Sequence, residues 1–209
     1  MKNNKRKGFT LIELLVVIAI IAVLAVVVIL SLNPAELLRQ ARDSNRISDM
    51  ATLKSAISLY LADQTSPNLA SSTIGYAQVY FSQLNPPNMS NASSGFSITG
   101  TVDFSAASTT GSTNRSVNST GWIPVNFSAI SSGSPLGSLP VDPTNSTTSV
   151  ATQGGGPLIY GYGAVSTLTF KLTAHMESAK FATGGTADVE TPDGGNSVYT
   201  YEQGTNLTL

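Results

Sequence analysis

The chain has 209 residues with 11 Lys+Arg, 12 Asp+Glu, one His and no Cys, and only 11% of it is charged, against roughly 25% in an average soluble domain. A formal net charge of -1 excludes a basic nucleic-acid binder on bulk electrostatics. Without Cys there are no disulfides, thiolate metal sites or Cys nucleophiles, and a single His excludes a multi-His centre.

The charges are unevenly placed. Met1–Gly8 carries Lys2, Lys5, Arg6 and Lys7. Phe9–Leu32 then runs 24 residues with only Thr10, Glu13 and Ser31 polar. At 1.5 Å per residue such a helix spans roughly 36 Å, enough for a ~30 Å hydrocarbon core. A basic leader before it places the N-terminus on the cytoplasmic side and everything after Leu32 outside. A cleaved secretory signal is the alternative, but its apolar region is shorter and Ser31-Leu32-Asn33-Pro34 is a poor cleavage site.

Glu13 is costly within this run, about 2.5–3.5 kcal/mol for an acidic residue at a helix centre and less near an end. A cut between Gly8 and Phe9 would create an α-amine four residues before Glu13, on the same helix face. The same cut would remove the basic leader.

The string Lys7-Gly8-Phe9-Thr10-Leu11-Ile12-Glu13-Leu14-Leu15 resembles the processing signal of type IV prepilins and type II secretion pseudopilins. The resemblance implies cleavage after Gly8 by a prepilin peptidase, N-methylation of Phe9, and pairing of Glu13 with the Phe9 amine of a neighbouring subunit. The implied partners are copies of this chain, other pilins, the peptidase/methyltransferase, an inner-membrane assembly platform and membrane lipid. The implied location is a single-pass cytoplasmic membrane protein with its head outside, later a surface or periplasmic filament. No nucleic acid, no obligate cofactor and no enzymatic activity are expected.

Asn33-Pro34-Ala35-Glu36 reads as a helix restart with Asn33 as cap, or as a simple kink. From Ala35 to Asp63, Ile47, Met50, Leu53, Ile57 and Tyr60 recur at steps of three and four, one apolar stripe of an amphipathic helix. The spacing pairs Arg39 with Asp43 and Arg46 with Asp49 on a solvated side. Arg39, Arg42, Asp43, Arg46 and Asp49 therefore read either as contacts between packed subunits or as an ordinary solvated face.

Residues 66–209 hold ten charges among 23 Ser, 20 Thr and 10 Asn. Strands are expected at Phe96–Phe104, Trp122–Phe127, Leu158–Tyr162, Ser166–His175 and Ser197–Glu202, with loops over Gln64–Ser94 and Ala106–Thr120. Pro140-Val141-Asp142-Pro143 and Tyr160-Gly161-Tyr162 are similar to a loop and strand of pseudopilin heads. Asp188, Glu190, Asp193 and Asn196 alternate oxygen donors on a tight turn, which suits Ca²⁺ or a plain Asx turn. Trp122 reads as a core residue, and the lone His175 as a packed or surface residue.

The expected fold class is α+β: a long N-terminal helix, half membrane and half amphipathic, packed on an antiparallel β-rich head. Its parts are a leader at 1–8, a membrane helix at 9–32, an amphipathic helix at 33–63 and a head at 64–209. Two functions remain: a structural subunit of a type IV pilus or pseudopilus, or a membrane-anchored minor pilin or surface binding module for adhesion or DNA uptake that does not polymerise by itself.

Overall fold

The computed structural model describes residues 8–69, 78–84, 109–149, 156–165 and 167–209. By internal contacts the chain divides into two units, one ending at Leu38 and the other running from Arg39 to Leu209.

In the first unit α1 spans Leu11–Leu32. Its described Val, Ile, Leu and Ala side chains stand exposed on every face, and it is the one helix among the described residues long and apolar enough to cross a membrane. A helix apolar all round requires an apolar surrounding such as lipid or other helices. Asn33 ends it in the left-handed conformation (φ 41°), and α2 restarts at Pro34. Asn33 O accepts from Glu36 N and Leu37 N, so the residue closes one helix and opens the next. Pro fits there because the first helical N–H needs no partner within the helix.

In the second unit α2 continues to Asp63 and buries Met50, Leu53, Ala56, Ile57 and Tyr60, while Ile47 lies at the edge of the stripe. These side chains share one core with Tyr162, Ala164, Phe170, Leu172 and Ala174 of the sheet.

The strands are β1 (Gln78–Phe81), β2 (Thr109–Gly111), β3 (Ser146–Ser149), β4 (Pro157–Leu158), β5 (Gly161–Ala164), β6 (Phe170–Ala174) and β7 (Tyr201–Gly204). The main sheet has the order β2-β1-β5-β6-β7, and β3 pairs with β4 separately. The β1/β5, β5/β6 and β6/β7 pairs are antiparallel, but β2 runs parallel to β1, so the sheet is mixed. A parallel pair needs a crossover of about a dozen residues or more, and the chain between Phe81 and Thr109 is long enough to provide it.

Several strand expectations are corrected. β1 and β2 fall inside segments read as loops, because their short Gln/Val/Tyr/Phe and Thr/Thr/Gly runs carry little pattern. Trp122–Phe127 forms no strand, although burial alternates from Ile123 to Phe127: Pro124 lacks a donor for a ladder, and Asn126 makes only an isolated bridge to Asn118. The segment threads through the core and ends in a 3₁₀ turn at Phe127–Ala129. The Ser166–His175 strand begins only at Phe170, because Leu168 (φ 62°) sits in the tight turn closed by Val165 and Thr169. Both faces of β6 are buried, not one. The expected Leu158–Tyr162 strand divides between β4 and β5, and the last strand is shifted to Tyr201–Gly204. Phe96–Phe104 lies outside the described residues.

Candidate functional site: the N-terminal signal and the charged collar of α2

At the start of α1 the backbone explains the local sequence. Thr10 is the N-cap, and its Oγ1 accepts from Glu13 N at 3.3 Å. Glu13 Oε2 accepts from Thr10 N at 2.8 Å and from Thr10 Oγ1 at 2.7 Å. This reciprocal pattern is a capping box, which satisfies two donors that a helix start otherwise leaves unpaired. Its Thr-x-x-Glu signature stands plainly in Thr10-Leu11-Ile12-Glu13 and adds a local role for Glu13 that the sequence reading missed. The box pins the carboxylate beside the first turn, next to Phe9, which is 77% exposed. Gly8 is exposed too.

Arg39, Arg42, Asp43, Arg46 and Asp49 of α2 are arranged otherwise than the spacing suggests. Asp43 and Arg46 are wholly buried and pair with each other at 2.7 Å. Arg46 also makes a two-pronged contact with Asp142, Nε to Oδ2 at 2.7 Å and Nη2 to Oδ1 at 2.8 Å. Asp142 Oδ1 in turn accepts from Thr144 N and Asn145 N, so the Pro140–Pro143 loop is held by its own Asx turn and clamped to the helix. Asp43 accepts from the backbone N–H of Glu177 and Ser178, just past β6. Arg42 forks onto Glu177 at 2.6 and 2.7 Å, and Arg39 lies 3.9 Å from the same carboxylate. The Arg42 guanidinium holds the Glu177 carboxyl below its ordinary range.

Asp49 does not pair with Arg46; it accepts from the Tyr160 hydroxyl at 2.7 Å, and burial raises its pKa. The solvated face is thus an inward collar binding α2 to the head. Asp43 and Arg46 have no surface to offer a neighbouring subunit, whereas Arg39 remains about half exposed. Their partners, Asp142 and Glu177, lie about a hundred residues or more away in sequence, beyond the reach of helical spacing.

Trp122 is buried and donates Nε1–H to Pro140 O at 2.9 Å, and His175 is buried against Gly156. The C-terminal acidic turn is read most directly as turns. Asp188 accepts from the backbone N–H of Gly184, Glu190 and Thr191. Asp193 accepts from Gly195 N and Glu202 N, and Asn196 Oδ1 accepts from Lys171. Glu190 points inward, accepting from Met176 N, Thr183 N and Thr183 Oγ1. The four side chains serve different partners, and no group of three or more His, Asp or Glu poised for a metal ion occurs among the described residues.

Burial pushes the Glu190 carboxyl up to about 7, against its three donors, with the nearby Asp188 charge adding to the rise. The folded state therefore holds the proton more tightly than the unfolded chain. Stability from this group is complete below about pH 4.5 and is lost as pH climbs to about 7. The wild type is expected to lose about 3 kcal/mol across that window relative to Glu190→Gln, whose side chain does not titrate. Urea unfolding of both proteins at stepped pH measures the difference; parallel curves would refute it.

Residues 3–29 match the prokaryotic N-terminal methylation motif. This stretch carries the type IV pilin/pseudopilin signal and includes most of the apolar helix α1, which fits a prepilin peptidase substrate anchored in a membrane. No curated protein and no solved structure matches the chain.

Proposed function

We propose that this chain is a structural subunit of a type IV pilus or type II secretion-like pseudopilus, cleaved after Gly8 and assembled through its N-terminal helix. The observation that carries the proposal is the methylation motif at 3–29, most of which lies in an apolar helix exposed on every face. Residues 1–8 act as leader, 9–32 as membrane helix, 33–63 as its amphipathic continuation and 64–209 as head.

Cleavage leaves Thr10 in place, so the capping box survives and keeps the Glu13 carboxylate oriented at the helix start. A carboxylate has acceptor sites beyond those Thr10 occupies, so Glu13 can also receive the methylated amine of a neighbour's Phe9. In lipid that pairing relieves an otherwise costly charge, and it sets the axial offset between neighbouring helices. In this scheme partners supply cleavage, methylation and the work of assembly.

Mass spectrometry of protein from its native membrane tests the reading: the N-terminus is expected to be methylated Phe9. Retention of Met1 with an unmodified chain would refute it. Electron microscopy of cells carrying a tagged chain separates a filament subunit from a non-polymerising surface module.

A further inference from the structure

On the sheet face turned away from α2, a lysine, a glutamate and an asparagine meet. Lys171 of β6 stands opposite Gly204, and Glu202 of β7 stands opposite Thr173. Alternate residues of a strand share a face, so Lys171 and Glu202 project to the same side as diagonal neighbours. Both side chains are fully buried, and Glu202 Oε1 touches Lys171 Nζ. Nζ also donates to Asn196 Oδ1 at 2.6 Å and to the carbonyls of Leu207 and Leu209, each at 3.0 Å. Gly195 makes room for the carboxylate: a Cβ there would lie 1.4 Å from Glu202 Oε2.

We propose that Lys171 and Asn196 are joined by an intramolecular isopeptide bond whose formation Glu202 catalyses. Asn196 Cγ is one carbonyl bond from Oδ1, hence within about 3.8 Å of Nζ, close to the ~3–3.5 Å of a near-attack geometry. The neutral Lys171 amine attacks Cγ, the Nζ–Cγ bond forms, and the Cγ–Nδ2 bond breaks. Glu202, protonated at the start, gives its proton to the departing nitrogen, which leaves as ammonia, and takes up the proton that Nζ loses. Glu202 ends as it began, and no oxidant, reductant or metal is consumed. Burial acts in the required direction on both groups, lowering the Lys171 pKa and raising that of Glu202, so the pair moves toward free amine and carboxylic acid. Asn196 lies at the surface, which lets ammonia escape while the other two groups stay dry.

The bond would close a loop between positions 25 apart in a chain without disulfides, restricting the unfolded state as a cross-link does. Its chemistry is independent of whether the chain polymerises.

Intact mass and peptide mapping of the purified full chain test the inference. The mass is expected to fall short of that calculated for the same termini by one ammonia, and digestion should release a branched peptide joining Lys171 to Asn196. Asn196→Ala, which keeps the Lys171–Glu202 pair and should retain the wild-type circular dichroism, is expected to restore the full mass, as is Glu202→Gln. A wild-type chain of full mass would overturn the proposal. So would ammonia loss without a branched peptide, since a succinimide at Asn196 gives that mass alone. Complete linkage in Glu202→Gln would overturn the catalytic role of Glu202.

Discussion

Arg46→Ala is expected to destabilise the head by about 3–5 kcal/mol, the usual cost of removing one member of a buried ionic group. The substitution leaves Asp43 and Asp142 inside the protein without the guanidinium that both face. It also frees the Pro140–Pro143 loop, whose carbonyl at Pro140 receives the Trp122 indole N–H. Against a typical total stability of about 5–15 kcal/mol the loss is large, and the head should approach unfolding at ordinary temperature. Arg42→Ala serves as the comparison. That side chain is about one-third exposed, its pair with Glu177 is partly screened, and the expected cost is about 1 kcal/mol. Urea titration of the full chain in detergent, followed by the fluorescence of Trp122, measures both. Trp122 is the only Trp and lies in the core. Equal losses in the two variants would show that Arg46 is not the buried anchor of the head.

Glu13→Gln is expected to abolish filament assembly while leaving removal of the leader unchanged. Gln keeps an acceptor for Thr10 N–H, so the helix start is preserved, but it cannot form an ion pair with the amine of a neighbouring Phe9. A loss of 1.4 kcal/mol per contact is already a factor of ten in an equilibrium, and the contact recurs at every subunit. Sheared surface filaments should therefore fall at least ~10-fold, with processed subunit accumulating in the membrane. Immunoblots of the two fractions read the result; normal filament yield would remove the electrostatic role from Glu13.

The fold was unevenly legible. The stripe Met50, Leu53, Ile57 and Tyr60 was readable because burial on a helix repeats every three to four residues, and the structure adds Ala56 to it. The strands were harder to read. β1 and β2 are three or four residues long, too short for alternation to stand out. β6 is buried on both faces because Lys171 packs under the C-terminal residues, so its Thr and Lys did not mark a solvent side. At the signal, Gly8, Phe9 and Glu13 were named from the sequence, but the capping box that orients Glu13 was not.

What the sequence determined alone is local: the signal at the N-terminus, the apolar helix after it, and the helical register of α2. Each depends on residues within a turn or two of one another, so spacing suffices. The tertiary structure decided where the charges went. Asp43 and Arg46 lie three residues apart, as any solvated pair might. They are buried because Asp142 and the Glu177–Ser178 backbone, distant in the chain, supply the partners that make dehydrating them tolerable. The meeting of Lys171, Asn196 and Glu202 was decided in the same way, by the register of β6 against β7 and the return of the turn before β7.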